Sequence, residues 1–259
     1  MSTEARPLTE RTAVVTGGAG LYGRHIVTAL AEAGAFVVAA SRDSGACTEL
    51  ANELAARGLT VEGRELDLAS EASIAELCRG VVGDHGSIDV LVNNAVLRRG
   101  GGLLETSAND WDTTSAVNSR GLFLITRAVS REMMAQRSGS IVNVASIYGV
   151  VGPEFPIYEG TSMTTPAFYA YDKGGMIAFT RYLACLLGPY GVRANCLTPG
   201  GLRTPDQPAS FVEAYASRVP LGRLAGPEDI KGPVVFLASD ASAYVTGVNL
   251  PVDGGWTAR

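Results

Sequence analysis

The sequence predicts an α/β fold: one doubly wound domain, with a parallel sheet of about seven strands and helices on both of its faces. Three observations carry this. Short β-branched runs alternate with helix-period segments almost from end to end, the rhythm of repeated βαβ units. The composition, 46% hydrophobic and 18% charged, supplies a large core. The 259 residues contain no internal repeat and no low-complexity linker, so a single domain is expected over 1–259, with residues 1–10 a candidate for disorder.

The strands are expected at TAVVT (12–16), FVVAA (36–40), TVEGREL (60–66), IDVLV (88–92), SIVNVAS (140–146), VRANCLT (192–198) and VNLPV (248–252). Between them lie apolar positions at helical spacing, such as Ile26, Leu30 and Ala33, or Ile74, Leu77, Cys78 and Val81, which read as core stripes. The connections are expected to be right-handed crossovers. Two stretches break the rhythm, 148–166 and 200–211; both are rich in Pro, Gly and hydroxyl residues and read as lids or binding loops.

A formal net charge of −5 argues against nucleic acid and acidic lipid as partners. The polar N-terminus has no signal-peptide core, and no apolar run approaches the roughly 20 residues that cross a bilayer, so a soluble, cytoplasmic protein is expected. Cys47, Cys78, Cys185 and Cys196 are scattered and His25 and His85 are the only histidines, which speaks against a metal site or a disulfide framework. Each cysteine is read as an inert buried thiol.

Chemistry first shows in VVTGGAGLYGRHIVTALAEAGA, a strand that turns through Gly17, Gly18, Gly20 and Gly23 into a helix ending at Gly34. Glycines let the backbone approach a pyrophosphate, and a helix N-terminus offers N–H groups and a favourable dipole to the anion. This is the Rossmann-like context for a dinucleotide. At the end of the second strand stand Ser41 and Arg42. An arginine there accommodates a 2′-phosphate, so NADP(H) is favoured. NAD(H) is the alternative if Asp43 takes the ribose, and both charges have a plainer reading as solvated loop residues.

Taken in order, the motifs resemble the classical short-chain dehydrogenase/reductase family from about Leu8 to Trp256. The resemblance rests on the glycine turn with Gly17, Gly20, Leu21 and Gly23, then LDL with Asp67 and Leu68, then VNNAV with Asn93, Asn94 and Ala95. It continues through VNSRGLFLIT with Asn118, NVASIYG with Ser146, TPGGLRT with Pro199, Gly200, Leu202 and Thr204, and the tail ASDASAYVTGVNLPVDGG. It implies that Asp67 and Leu68 lie at the adenine and that the 198–204 loop meets the nicotinamide carboxamide. It also implies that Ser146 polarises a substrate carbonyl, and that Asn118 positions a water in a proton relay reaching Lys173.

Two departures stand out. The glycine spacing is TGxxGxxG, which looks like the family's extended branch of nucleotide-sugar epimerases and dehydratases, although no C-terminal substrate domain is visible and the other motifs look classical. The interval from Ser146 to Tyr169 is longer than usual by an insertion around EFPIYEGTSMTTP, expected to cover the substrate pocket or to be a plain surface excursion.

In FYAYDKGG (168–175), Tyr169 precedes Lys173 by four residues and Tyr171 by two. Helix residues four apart share a face, so only Tyr169 can share a pocket with the lysine, and Tyr171 is expected to pack on the core or a neighbouring subunit. A free phenol titrates near about 10, too high for a base near neutrality, unless a neighbouring cation lowers it. The resemblance makes Tyr169 the acid/base on the substrate oxygen and has Lys173 also bind the nicotinamide ribose.

The expected activity is NAD(P)-dependent interconversion of a secondary alcohol and a ketone, on a sugar, polyol or other small polar carbonyl compound. A sugar-modifying epimerase or dehydratase and a non-catalytic dinucleotide-binding protein are the alternatives. The substrate pocket is expected to draw on Val96 to Arg99, the insertion and Leu202 to Phe211; Arg98 and Arg99 either meet an acidic substrate or are solvated. The resemblance also implies a homo-oligomer, dimer or tetramer, paired through helices spanning about 107–137 and 169–188.

Overall fold

The computed structural model describes residues 6–258. Seven parallel strands form one sheet: β1 (Thr12–Thr16), β2 (Phe36–Ser41), β3 (Val61–Glu65), β4 (Val90–Asn93), β5 (Gly139–Val144), β6 (Val192–Pro199) and β7 (Asn249–Val252), in the order β3-β2-β1-β4-β5-β6-β7. Each expected strand forms within a residue or two of its expected bounds. The helices are α1 (Gly23–Glu32), α2 (Ser44–Ala55), α3 (Glu71–His85), α4 (Ala108–Ser115), α5 (Leu122–Gln136), α6 (Ala167–Leu187), α7 (Ala209–Ala216) and α8 (Lys231–Ala238).

The strand pleat divides the core in two. Ala13 and Val15 of β1 face one side with Ile26 and Leu30 of α1, Leu50 and Leu54 of α2, and Val234 and Leu237 of α8. Val14 faces the other, with Ile74 and Leu77 of α3, Ile125 and Val129 of α5, and Leu183 of α6. Residues of one strand alternate between the faces, so a strand buried on both must be apolar throughout. Each large aliphatic side chain removed from water here contributes about 1.5–3 kcal/mol before the entropy of ordering is set against it.

A third apolar cluster sits apart from these layers, where Ile147, Tyr148, Phe168, Tyr169, Phe211, Tyr215 and Trp256 pack together. It joins the insertion, the start of α6 and α7 into one apolar wall.

Several expectations are corrected. The segment from Arg6 is not loose: Leu8 is buried in the first core layer and its amide N–H donates to Ala33 O at 3.0 Å, while residues 1–5 lie outside the described residues. Of the two places expected for Tyr171, the core is ruled out: it is 68% exposed, its ring 5.6 Å from that of Trp111, which leaves the neighbouring subunit as the expectation. Cys185 is exposed, whereas Cys47, Cys78 and Cys196 are buried, and all four are free thiols. Among the described residues no helix is long and apolar enough to cross a membrane.

Candidate active site

The sheet order reverses between β1 and β4: from β1 the chain winds outward through β2 and β3, then returns to the other side of β1 as β4. In open α/β sheets ligands bind in the crevice that such a reversal opens beyond the strands' carboxyl ends. Here that place is Gly17 after β1 and Asn94 after β4. The two turns are laced together. Thr16 Oγ1 accepts from the amides of Asn94 and Ala95, each at 3.1 Å, and Asn94 Nδ2 donates to Thr16 O at 3.1 Å and Gly17 O at 3.0 Å.

The glycine turn is as tight as a dinucleotide site requires. Gly17 takes φ +63°, a left-handed conformation, and a Cβ on Gly23 would stand 2.0 Å from Gly17 O. Gly20, Leu21 and Tyr22 lead into α1 along the cleft, and no side chain caps that helix. An uncapped helix N-terminus behind a glycine turn suits a pyrophosphate.

Two clefts meet at Gly17, Ala95 and Val96. The first, about 630 Å³, is lined by Ser41, Arg42, Asp43, Asp67 and Leu68, the residues expected around an adenosine. Arg42 is exposed at its edge, whereas Asp43 is engaged as the N-cap of α2, its carboxylate accepting from Ala46 N at 2.9 Å.

The second cleft, about 440 Å³, holds Ser146, Tyr169 and Lys173 together, with Pro199, Gly200 and Leu202 across from them. Local structure explains the convergence. Ser146 lies two residues beyond the end of β5 and caps a short 3₁₀ turn, accepting from Tyr148 N at 3.2 Å, which leaves its O–H to donate. The turn lies directly on α6: a Cβ on Gly149 would stand 2.7 Å from the backbone of Lys173. Tyr169 sits in the first turn of α6, where the helix dipole favours a phenolate. One turn on, the buried Lys173 ammonium donates to Val144 O at 2.6 Å and lies 5.8 Å from the Tyr169 ring centre.

The electrostatics single out one phenol. Burial pushes the hydroxyls of Tyr22 and Tyr148 well above the ordinary tyrosine range and that of Tyr215 up to about 12. Burial raises Tyr169 too. The charges of Lys173 and Arg98 and the Ser146 donor more than offset it, and the net shift is downward. Lys173 is lowered, chiefly by burial, with Tyr169 pulling the other way.

A family model described as enoyl-(acyl carrier protein) reductase matches residues 20–257. The chain is 37% identical over 248 residues to a (2S)-[(R)-hydroxy(phenyl)methyl]succinyl-CoA dehydrogenase subunit of Thauera aromatica, covering 95% of this chain and 96% of that one. It is 37% identical over 258 residues to an L-rhamnose 1-dehydrogenase (NAD(P)(+)) of Azotobacter vinelandii, covering 96% and 97%.

The chain belongs to the short-chain dehydrogenase/reductase family. Among solved structures, the gluconate 5-dehydrogenase of Burkholderia cenocepacia J2315, in complex with NADP and tartrate, superposes with a TM-score of 0.87 at 31% identity over 99% of this chain and 98% of that one.

Against the short-chain dehydrogenase/reductase pattern, three expected site residues sit differently. Asn93 does not reach either cleft; it is buried behind the site, donating to Thr126 Oγ1 at 3.0 Å and Asn143 Oδ1 at 2.8 Å, as a polar bracket between neighbouring strands and α5. Thr204 lines neither cleft, and its amide is held by Gln207 Oε1 at 3.0 Å. Asn118 lies in a π-helical turn, Ala116–Gly121, and its side chain is held by three hydrogen bonds. Its Oδ1 accepts from Leu97 N at 2.8 Å, while Nδ2 donates to Leu97 O at 2.9 Å and Asp172 Oδ2 at 3.0 Å. Both Nδ2 hydrogens of Asn118 are thereby used, and only the second lone pair of Oδ1 is left for a relay towards Lys173.

Sequence reasoning passed over Asp172. It is buried beside Lys173 in the chain and also accepts from Ser119 Oγ at 2.7 Å, so it pins the π-turn to α6. A carboxylate in the middle of an otherwise apolar helix face was the available signal. Tyr22 also went unnoticed; its hydroxyl donates to Gly200 O at 2.8 Å and ties the glycine turn to the loop after β6. The insertion does cover the cleft. Tyr158, Met163, Thr164 and Thr165 line it, and a chain of hydroxyls, Tyr148 to Tyr158 at 2.9 Å and Tyr158 to Thr165 at 2.8 Å, fastens it to the turn after Ser146.

Proposed function

We propose that the chain is an NAD(P)-dependent oxidoreductase that interconverts a secondary alcohol and a ketone on a small polar, polyhydroxylated substrate. The convergence of Tyr169, Lys173 and Ser146 in one cleft, with Tyr169 the one phenol drawn downward, carries this reading. The cofactor, when bound, supplies or accepts the hydride. The Ser146 hydroxyl donates to the substrate oxygen and orients it. Tyr169 gives its proton to that oxygen in reduction and takes it back in oxidation. Lys173 keeps the phenol's proton affinity low and offers a further donor towards the cofactor ribose. Asn118, through Leu97 and Asp172, acts by holding the wall of the cleft against α6.

Arg42 at the open edge of the adenosine cleft supports NADP(H) as the preferred cofactor, as does the NADP in the gluconate 5-dehydrogenase relative. The hydroxyl-rich lining and the sugar dehydrogenase relatives support a polar substrate. Phe123 on α5, with Tyr182 and Leu186 on α6, leaves apolar surface exposed on the helices that the family resemblance pairs, and this supports a homo-oligomer.

Separate titrations with NADPH and NADH, followed by a panel of polyols, sugars and ketones read at the nicotinamide absorbance, test the reading. Tighter NADPH binding and stoichiometric absorbance change are expected, and Arg42→Ala should erase the preference for NADPH. Substrate conversion without net absorbance change would replace the reading with that of an epimerase, which the TGxxGxxG spacing would suit.

A further inference from the structure

The candidate substrate cleft carries positive charge that no carboxylate of its own lining balances. Its lining contains Arg98 and Lys173 but no Asp or Glu. Lys173 is buried and bonded to Val144 O, so Arg98 is the charge that a substrate meets. Its guanidinium carbon stands 4.4 Å from the centre of the Tyr169 ring. Its neighbour Arg99 is paired with Asp110 at 2.9 Å, but among the described residues no carboxylate pairs with Arg98. An unpaired cation at the mouth of a cleft is unexpected in a chain whose formal net charge is −5.

The arginine is also held in place. The preceding residue, Leu97, has both its N–H and its C=O bonded to the Asn118 side chain, so the backbone that projects Arg98 is fixed by the π-turn rather than free as a loop. Around it the cleft presents the hydroxyls of Ser146, Tyr148, Tyr158, Thr164 and Thr165 and the Gln207 amide.

We propose that Arg98 is the carboxylate-binding residue of this site, and that the substrate is a small hydroxy acid or its keto counterpart, with the acid group near the reacting carbon. The inference deepens the oxidoreductase reading and rests on it. A guanidinium fork matches a carboxylate with two parallel hydrogen bonds, while the hydroxyl lining receives the substrate's own hydroxyls. Stacking on the Tyr169 ring aims that fork beside the reacting oxygen. A single arginine with no second free cation fits a carboxylate monoanion better than a phosphate dianion.

The test compares aldonates with the alditols of the same chain and configuration, threonate against threitol and gluconate against glucitol, with wild type, Arg98→Gln and Arg98→Lys. Steady-state oxidation is measured with NADP⁺. Calorimetry on the NADP⁺-loaded protein compares tartrate with threitol, which reads recognition without turnover. A charge-assisted pair predicts that wild type prefers the acid by about 10–100-fold in kcat/KM and in affinity. Arg98→Gln should cut that preference to within about 3-fold while lowering turnover of acid and alditol alike, because a charge beside Tyr169 is lost, and Arg98→Lys keeps part of the preference.

Equal use of acid and alditol by wild type, an unchanged preference in Arg98→Gln, stronger binding of glycerol phosphate than of glycerate, or no tartrate binding to the loaded protein would each overturn the assignment. Turnover of alditols without an acid preference overturns it and leaves the oxidoreductase reading standing. Arg98-dependent acid binding with no nicotinamide absorbance change on any substrate supports the carboxylate site and defeats the oxidoreductase reading.

Discussion

Replacing Tyr169 by phenylalanine removes one oxygen atom from the centre of the proposed chemistry. The ring itself is packed in the apolar cluster with Phe168, Phe211 and Tyr215, and phenylalanine refills that space without a cavity. The groups left behind are the donors of Ser146 and Arg98, both facing a cleft that water can enter, so the cost in stability is below about 1 kcal/mol. For a chain of this length that corresponds to less than about 4 °C in Tm. The cost in rate is much larger. The variant has no proton to give the substrate oxygen, and loss of a positioned general acid/base costs roughly 10²–10⁴-fold, or about 2.7–5.4 kcal/mol in the barrier. Stopped-flow and steady-state measurement of nicotinamide absorbance reads the turnover, and fluorescence titration reads NADPH affinity. The expected result is a collapse of kcat with NADPH binding within about 2-fold of wild type, because Tyr169 lies beyond the adenosine cleft. Turnover within about 3-fold of wild type would refute the mechanism; a collapse accompanied by lost NADPH binding would show that the residue holds the cofactor site instead.

The remaining predictions concern the frame around that phenol. Lys173→Met removes a cation that draws the Tyr169 proton affinity down, so the rising limb of alcohol oxidation against pH should move to higher pH; an unmoved limb would remove Lys173 from that role. Gly23→Ala places a Cβ 2.0 Å from Gly17 O, a backbone atom that cannot step aside cheaply. Overpacking of this kind costs about 1–3 kcal/mol, and NADPH affinity should fall by about 10-fold or more, with unchanged affinity counting against a tight glycine turn. Asp172→Asn leaves Asn118 and Ser119 competing for one amide oxygen and should lower stability by about 1.5–3 kcal/mol, visible in thermal melting. An unchanged Tm would show that the π-turn is held by other contacts.

The parts of this protein that were legible in the sequence are those set by neighbours in the chain. The strands could be located from their composition because burial on both faces gives β1, β4 and β5 short runs of adjacent apolar residues, Ala13 to Val15, Val90 to Val92 and Ile141 to Val142. The glycine turn could be read because a Cβ at Gly17, itself left-handed, would meet the Ala95 backbone at 2.9 Å and one at Gly23 would meet Gly17 O at 2.0 Å. Tyr169 and Lys173 were paired by helical spacing alone. The residues misread or missed are those whose partners come from distant segments. Asn93 and Asn94 are adjacent and chemically identical, yet the strand pleat turns one into the sheet and leaves the other at the cleft.

By itself, then, the sequence determined the doubly wound sheet, the tight glycine turn and the pairing of Tyr169 with Lys173 on one helix face, since each depends on backbone geometry and side chains a few positions apart. Only the tertiary structure decided that Asn118 spends its amide on Leu97 and Asp172, and that Arg98 rather than Arg99 stands unpaired over Tyr169. Hydrogen bonds and charge pairs extend only a few ångströms, so their partners are known once packing has brought separate segments within that reach.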